Sequence, residues 1–175
     1  MSLEVFLTDH KGYILPLWLD ALFEVYPPGS HGFLRKKRER FKNPVGHTLN
    51  TELEKLYEEL GKDGITETAR SSLEGILKIR AVQDLTPSQA VKFILDLKGI
   101  VQKGVRKKGL GQIHPEELRE FEQKIDQVCL EAFDIYSSCR QKIYELRVNE
   151  IKRQVSRLLE RANLVCEIPE VTEDL

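Results

Sequence analysis

A chain of 175 residues, 41% hydrophobic and 31% charged, is one domain in length and has ample apolar material for a core. Its 27 basic and 28 acidic residues nearly cancel, so no global field draws it to nucleic acid or to a membrane surface. No run of about 20 apolar residues is present for a bilayer span. Met1-Ser2-Leu3-Glu4 lacks the basic start and apolar stretch of a signal peptide, so the expected address is cytoplasmic.

Helical periodicity runs through almost the whole chain and period-2 alternation is nearly absent, which makes the expected fold class all-α, a helical bundle. Leu3, Phe6, Leu7, His10, Ile14, Leu17, Trp18, Ala21, Leu22 and Val25 step by three and four. Gly12 and Pro16 should bend or divide this first element, and Tyr26-Pro27-Pro28-Gly29-Ser30 should stop it. The basic run Arg35-Lys36-Lys37-Arg38-Glu39-Arg40-Phe41-Lys42 raises a nucleic-acid reading. It carries no interleaved aromatics beyond Phe41, and the chain has a net charge of −1, so a solvated short helix is the expectation.

Asn43-Pro44-Val45-Gly46 is expected to be a turn, followed by a helix from about His47 to Leu60 and a glycine-rich stop at Gly61–Gly64. A helix over about Thr66–Asp84 carries Ala69, Leu73, Ile76, Leu77, Ile79 and Val82. Thr86-Pro87-Ser88-Gln89 combines a capping threonine, a proline at the first helical position and a glutamine where a capping box needs it. The helix that follows is expected to end in a solvated linker, Lys103–Gly111, which lacks the spacing of a phosphate-binding loop.

From Pro115 to about Asn163 no Pro or Gly interrupts the chain. Leu118, Phe121, Ile125, Val128, Ala132, Ile135 and Cys139 repeat at three and four; the beat slips by a residue at Ile143 and resumes through Leu146, and a second phase, Val148, Ile151, Val155, Leu158 and Ala162, carries it onward. Unbroken, such a helix would be roughly 70 Å long, against a domain about 35–40 Å across. It should therefore break and fold back or extend past the body, and extension favours a homodimer. Residues 1–163 are taken as one helical domain and 164–175 as an acidic, frayed tail.

No arrangement of residues points to catalysis, and no cofactor or metal is expected. His10, His31, His47 and His114 are scattered without metal-ligand spacing, and haem held by one of them is the weakest reading. Cys129, Cys139 and Cys166 form no C-x-x-C pair. On one helix Cys129 and Cys139 lie about 80° apart in azimuth and roughly 15 Å apart along the axis, too far to bridge within a chain. They are taken as unpaired thiols, a redox sensor being the sharper alternative.

Two clusters remain as candidate sites. Arg80 and Asp84, four apart beside Gln83, could pair on one helix face, order a helix junction or line a polar pocket. Tyr136, Arg140, Tyr144, Leu146, Arg147, Ile151, Val155 and Leu158 form a candidate interface, with tyrosine and arginine as anchors.

Several of these segments together resemble the N-terminal domain of the RsbT co-antagonist RsbRD family. They are the opening with Trp18 and Tyr26-Pro27, Asn43-Pro44-Val45-Gly46-His47, Ile79-Arg80-Ala81-Val82-Gln83-Asp84 with Pro87-Ser88-Gln89-Ala90, and Ala132 to Glu150. The resemblance covers roughly residues 1–163. It implies a helical input domain, sometimes likened to a globin without haem, joined in such proteins to an output domain, often of the STAS type, in stress signalling. This sequence departs from that pattern by ending just after the last helix, so the resemblance does not carry a stressosome-like assembly over as an expectation. The resulting expectation is a non-enzymatic regulatory module that dimerises through its C-terminal helix and binds a small ligand or a partner protein. The alternative is an accessory subunit docking on an enzyme complex.

Overall fold

The computed structural model describes residues 2–36, 41–62, 64–107 and 113–162. Among them are seven helices and no strand: α1 (Leu3–Asp9), α2 (Lys11–Phe23), α3 (Pro28–Leu34), α4 (Pro44–Glu58), α5 (Glu67–Ala81), α6 (Pro87–Lys107) and α7 (Pro115–Arg161). They divide into two compact units, Met1–Arg140 and a second from Gln141 onward. The all-α expectation holds, and the long C-terminal helix is present as one unbroken element.

In the first unit α4 packs on α5 and α2 on α6, with α1 and α3 closing against α2 and α4. Trp18, Leu22, Leu49, Leu53, Leu73, Ile76, Phe93, Ile94 and Leu97 are almost wholly buried. Phe121, Ile125, Val128, Ala132 and Tyr136 add the buried stripe of α7.

The first element divides at His10, not at Gly12 or Pro16. The His10 N–H bonds back to the Phe6 carbonyl while its own carbonyl accepts from Tyr13 and Ile14, so one residue closes α1 and opens α2. Pro16 stays inside α2 because the Gly12 carbonyl, which its missing N–H leaves without a helical donor, lies on the same exposed side where water can satisfy it. Pro28 does not extend the stop; with extended Pro27 before it, it supplies the first position of α3. Of the expected basic helix over 35–42, Arg35 is the C-cap of α3 and Phe41 and Lys42 lie in a turn, while residues 37–40 lie outside the described residues.

Asn43-Pro44-Val45-Gly46 is a helix start and not a turn. The Asn43 Oδ1 accepts from the Gly46 N–H at 2.9 Å, and its Nδ2 donates to the Phe33 carbonyl at 2.7 Å. A Cβ on Gly46 would collide with Asn43 and the Leu34 carbonyl, so the close passage of α4 over the end of α3 requires glycine there. The Thr86–Gln89 capping box forms as the sequence predicts, each residue bonding the backbone N–H of the other. Beyond it, α6 runs through Lys103–Lys107 where a linker was expected. Gly104 is buried under Phe6 and Tyr13, and that packing outweighs its poor helix propensity. Residues 108–112 and 163–175, the rest of that linker and the acidic tail, lie outside the described residues.

The α4–α5 corner hangs on Glu59, a largely buried carboxylate. One oxygen accepts from Lys62 Nζ and the other from the Thr66 hydroxyl, each at 2.6 Å. The same hydroxyl accepts from Ala69 N–H and caps α5. The Lys62 bond, then the Thr66 bond, hold the Glu59 carboxyl below its ordinary pKa. A lowered folded-state pKa contributes stability that is present above the unfolded value and lost as pH falls through the folded one. Glu59→Gln is therefore expected to destabilise the chain at neutral pH and to flatten the loss of stability on the acid side. Urea denaturation from neutral pH to below the ordinary carboxylate range checks it; parallel pH profiles for the two proteins would refute it.

Candidate functional site

Arg80 is the most unusual buried side chain. It lies in the last turn of α5 and is fully buried. Its Nη1 donates to the Leu22 carbonyl and its Nη2 to the Gln89 carbonyl, both at 2.9 Å, and its guanidinium carbon lies 5.2 Å from the centre of the Phe93 ring. Burial pulls its pKa below the usual arginine range. Among the described residues no carboxylate pairs with it. Leu22 sits in the last turn of α2, where carbonyls lack helical donors and the helix dipole is negative. That helix end stands in for the missing counter-ion.

The expected Arg80–Asp84 pair does not form. α5 ends at Ala81, so Asp84 leaves the helix face that would have aligned it, and it is exposed. Val82, one of the apolar positions of the expected helix, is exposed for the same reason. Gln83 turns the other way and exchanges hydrogen bonds with the Tyr26 hydroxyl at 2.8–3.0 Å. From α7, the Tyr136 hydroxyl donates to the Leu85 carbonyl at 2.9 Å and Arg140 Nη1 to the Ala81 carbonyl at 3.0 Å. The α5–α6 connection is thus tied to α2, α6 and α7 by Arg80, Gln83, Tyr136 and Arg140.

A pattern hidden from the sequence emerges here. Three helix C-termini are each capped by a cation distant in the chain: α2 by Arg80, α5 by Arg140, and α4 by Lys124, whose Nζ lies 2.9 Å from the Leu60 carbonyl. The only sequence signal was a cation at an otherwise apolar helix face.

The candidate interface residues separate into two groups. Tyr136 is buried and Arg140 half-buried, both bonded within the first unit. In the second unit every described residue except half-buried Ile143 is exposed, including Tyr144, Leu146, Arg147, Ile151, Val155 and Leu158. Leu146 stands about 140° around the helix from Ile151, so it leaves the row that Tyr144, Val148, Ile151, Val155 and Leu158 share.

Among the described residues no group of acids, histidines and cysteines is placed to hold a metal, and no helix is long and apolar enough to cross a membrane. Cys129 and Cys139 are unpaired, and burial raises the Cys129 pKa, which disfavours a reactive thiolate there; Cys166 lies outside the described residues. An open groove of about 660 Å³ between α2 and α6 is lined by Leu17, Ala21, Leu95 and Ile100, with Lys103 and Lys107 also on its wall.

The family model of the RsbT co-antagonist protein RsbRD N-terminal domain matches residues 13–151. The chain belongs to this family. No curated protein and no solved structure matches it. The matched region of this RsbRD N-terminal domain contains the whole α5–α6 junction and its ties from Tyr26, Tyr136 and Arg140. The family is a regulatory signalling family and not a known enzyme family.

Proposed function

We propose that this RsbRD N-terminal domain is a non-enzymatic regulatory module of stress-response signalling that works by binding, with the C-terminal part of α7 as its pairing surface. The observation that carries the reading is the division of labour along one helix. Residues 121–136 of α7 fill the core, while Val148, Ile151, Val155 and Leu158 repeat at heptad spacing and remain exposed. Tyr136 and Arg140, bonded to the α5–α6 connection, lie on that same helix. A small ligand in the α2–α6 groove, or a protein bound to the body, would bias α7 by displacing that connection.

The test compares cells carrying the wild-type chain, no chain, and the Ile151→Asp/Leu158→Asp variant. Both substitutions are on exposed positions, so the purified variant should keep its helix content and shift in stability by no more than about 0.5 kcal/mol per site. The variant is expected to reproduce the transcriptional defect of the deletion under stress. Unaltered transcription with loss of a metabolic activity would replace this reading by that of an accessory subunit.

A further inference from the structure

We propose that the exposed seam of α7 accepts an amphipathic helix of a different protein, one whose apolar ridge is bordered by Asp and Glu, and not a second copy of this chain. The proposal rests on the reading of this segment as a pairing surface and names its occupant. Val148, Ile151, Val155 and Leu158 are 48, 59, 47 and 63% exposed. They alternate valine at one core position with isoleucine or leucine at the other, the pattern of two-stranded pairing.

The residues bordering that ridge are Arg147, Lys152, Gln154 and Arg161, with Leu159 at its edge; all are exposed. None is acidic. Of the acids nearby, Glu150 is bonded to Arg153 and Gln154, and Glu160 lies away from the ridge. Glu145 borders the preceding heptad, where it accepts from Gln141 at 2.9 Å, and its counterpart in a pair of copies would be Arg140, already bonded to the Ala81 carbonyl.

Two copies meet like charge in either direction. In a parallel pair the bordering residue before one core position faces the residue five further along the other strand, so Arg147 meets Lys152. In an antiparallel pair Arg147 meets Arg161 and Lys152 meets its own equivalent. A helix with carboxylates at these borders converts each repulsion into attraction, which selects partner and register more than it adds affinity. Anionic lipid would also attract the lysines and arginines. Residues 145–161 contain no Trp or Phe, however, and the apolar arc spans only about 100°, the width of a helix-pairing seam.

The test uses the full chain at micromolar concentration with two synthetic helices that share a Val/Leu ridge, one bordered by Glu and one by Lys. Sedimentation velocity is expected to show a monomer alone. Fluorescence anisotropy is expected to show the Glu-bordered helix binding at least about tenfold more tightly, with the preference shrinking as salt rises. Lys152→Glu should weaken that complex several-fold and promote self-association, because Arg147 would then face Glu in a parallel pair. A wild-type dimer that binds neither peptide would overturn the proposal while leaving the seam a pairing surface. Equal binding of both peptides would overturn the charge argument. A monomer that binds neither peptide would remove the pairing reading as well, and co-sedimentation with phosphatidylserine vesicles would then assign the face to a membrane.

Discussion

Arg80→Ala is expected to destabilise the chain by about 3–5 kcal/mol, on the order of 10 °C in melting temperature. The side chain is wholly buried against Phe93, so truncation leaves a cavity under that ring. It also strips donors from the Leu22 and Gln89 carbonyls, each worth roughly 1–3 kcal/mol where it stays unsatisfied. Arg80→Met keeps most of the volume and removes the cost of burying a charge whose described partners are backbone carbonyls. It should lose only about half as much. Thermal and denaturant unfolding of both variants checks the order. An alanine variant melting with the wild type would show that the guanidinium does not anchor α5 to α2 and α6.

Trp18→Ala is the second large loss, again about 3–5 kcal/mol. The indole is 1% exposed, its ring centre lies 6.3 Å from both Tyr57 and Phe93, and its Nε1 donates to the Phe93 carbonyl at 2.8 Å. Trp18→Phe retains most of the packing and should isolate the hydrogen bond, at about 1 kcal/mol. As the only tryptophan, Trp18 reports its own environment: emission should move to longer wavelength as the wild-type chain unfolds. Because Trp18 and Arg80 share Phe93, their double variant should depart from additivity. Additive losses would show that the two side chains are not coupled through Phe93.

The two residues differ in how plainly the sequence announced them. Trp18 sits in an apolar row spaced by three and four, so its burial follows from periodicity. Arg80 was visible only as a cation among Ala69, Leu73, Ile76 and Leu77, and local spacing gave it Asp84 as a partner. The helix ended three residues too early for that pair.

Periodicity and end chemistry by themselves determined the helical class, the α6 capping box, the long α7 and the row at Val148–Leu158, because each depends on residues within a few positions of one another. The family resemblance was also legible in the sequence, carried by segments such as Asn43–His47, Ile79–Asp84 and Ala132–Glu150 in their order along the chain. Tertiary structure decided the rest. Packing of Gly104 under Phe6 and Tyr13 carried α6 through an expected linker, and the passage of α4 over the Leu34 carbonyl fixed Gly46 at a helix start. The cations that end α2, α4 and α5 come from 58, 64 and 59 residues away. A carbonyl left bare at a helix end is satisfied by whichever donor the fold brings near, and sequence spacing carries no record of that distance.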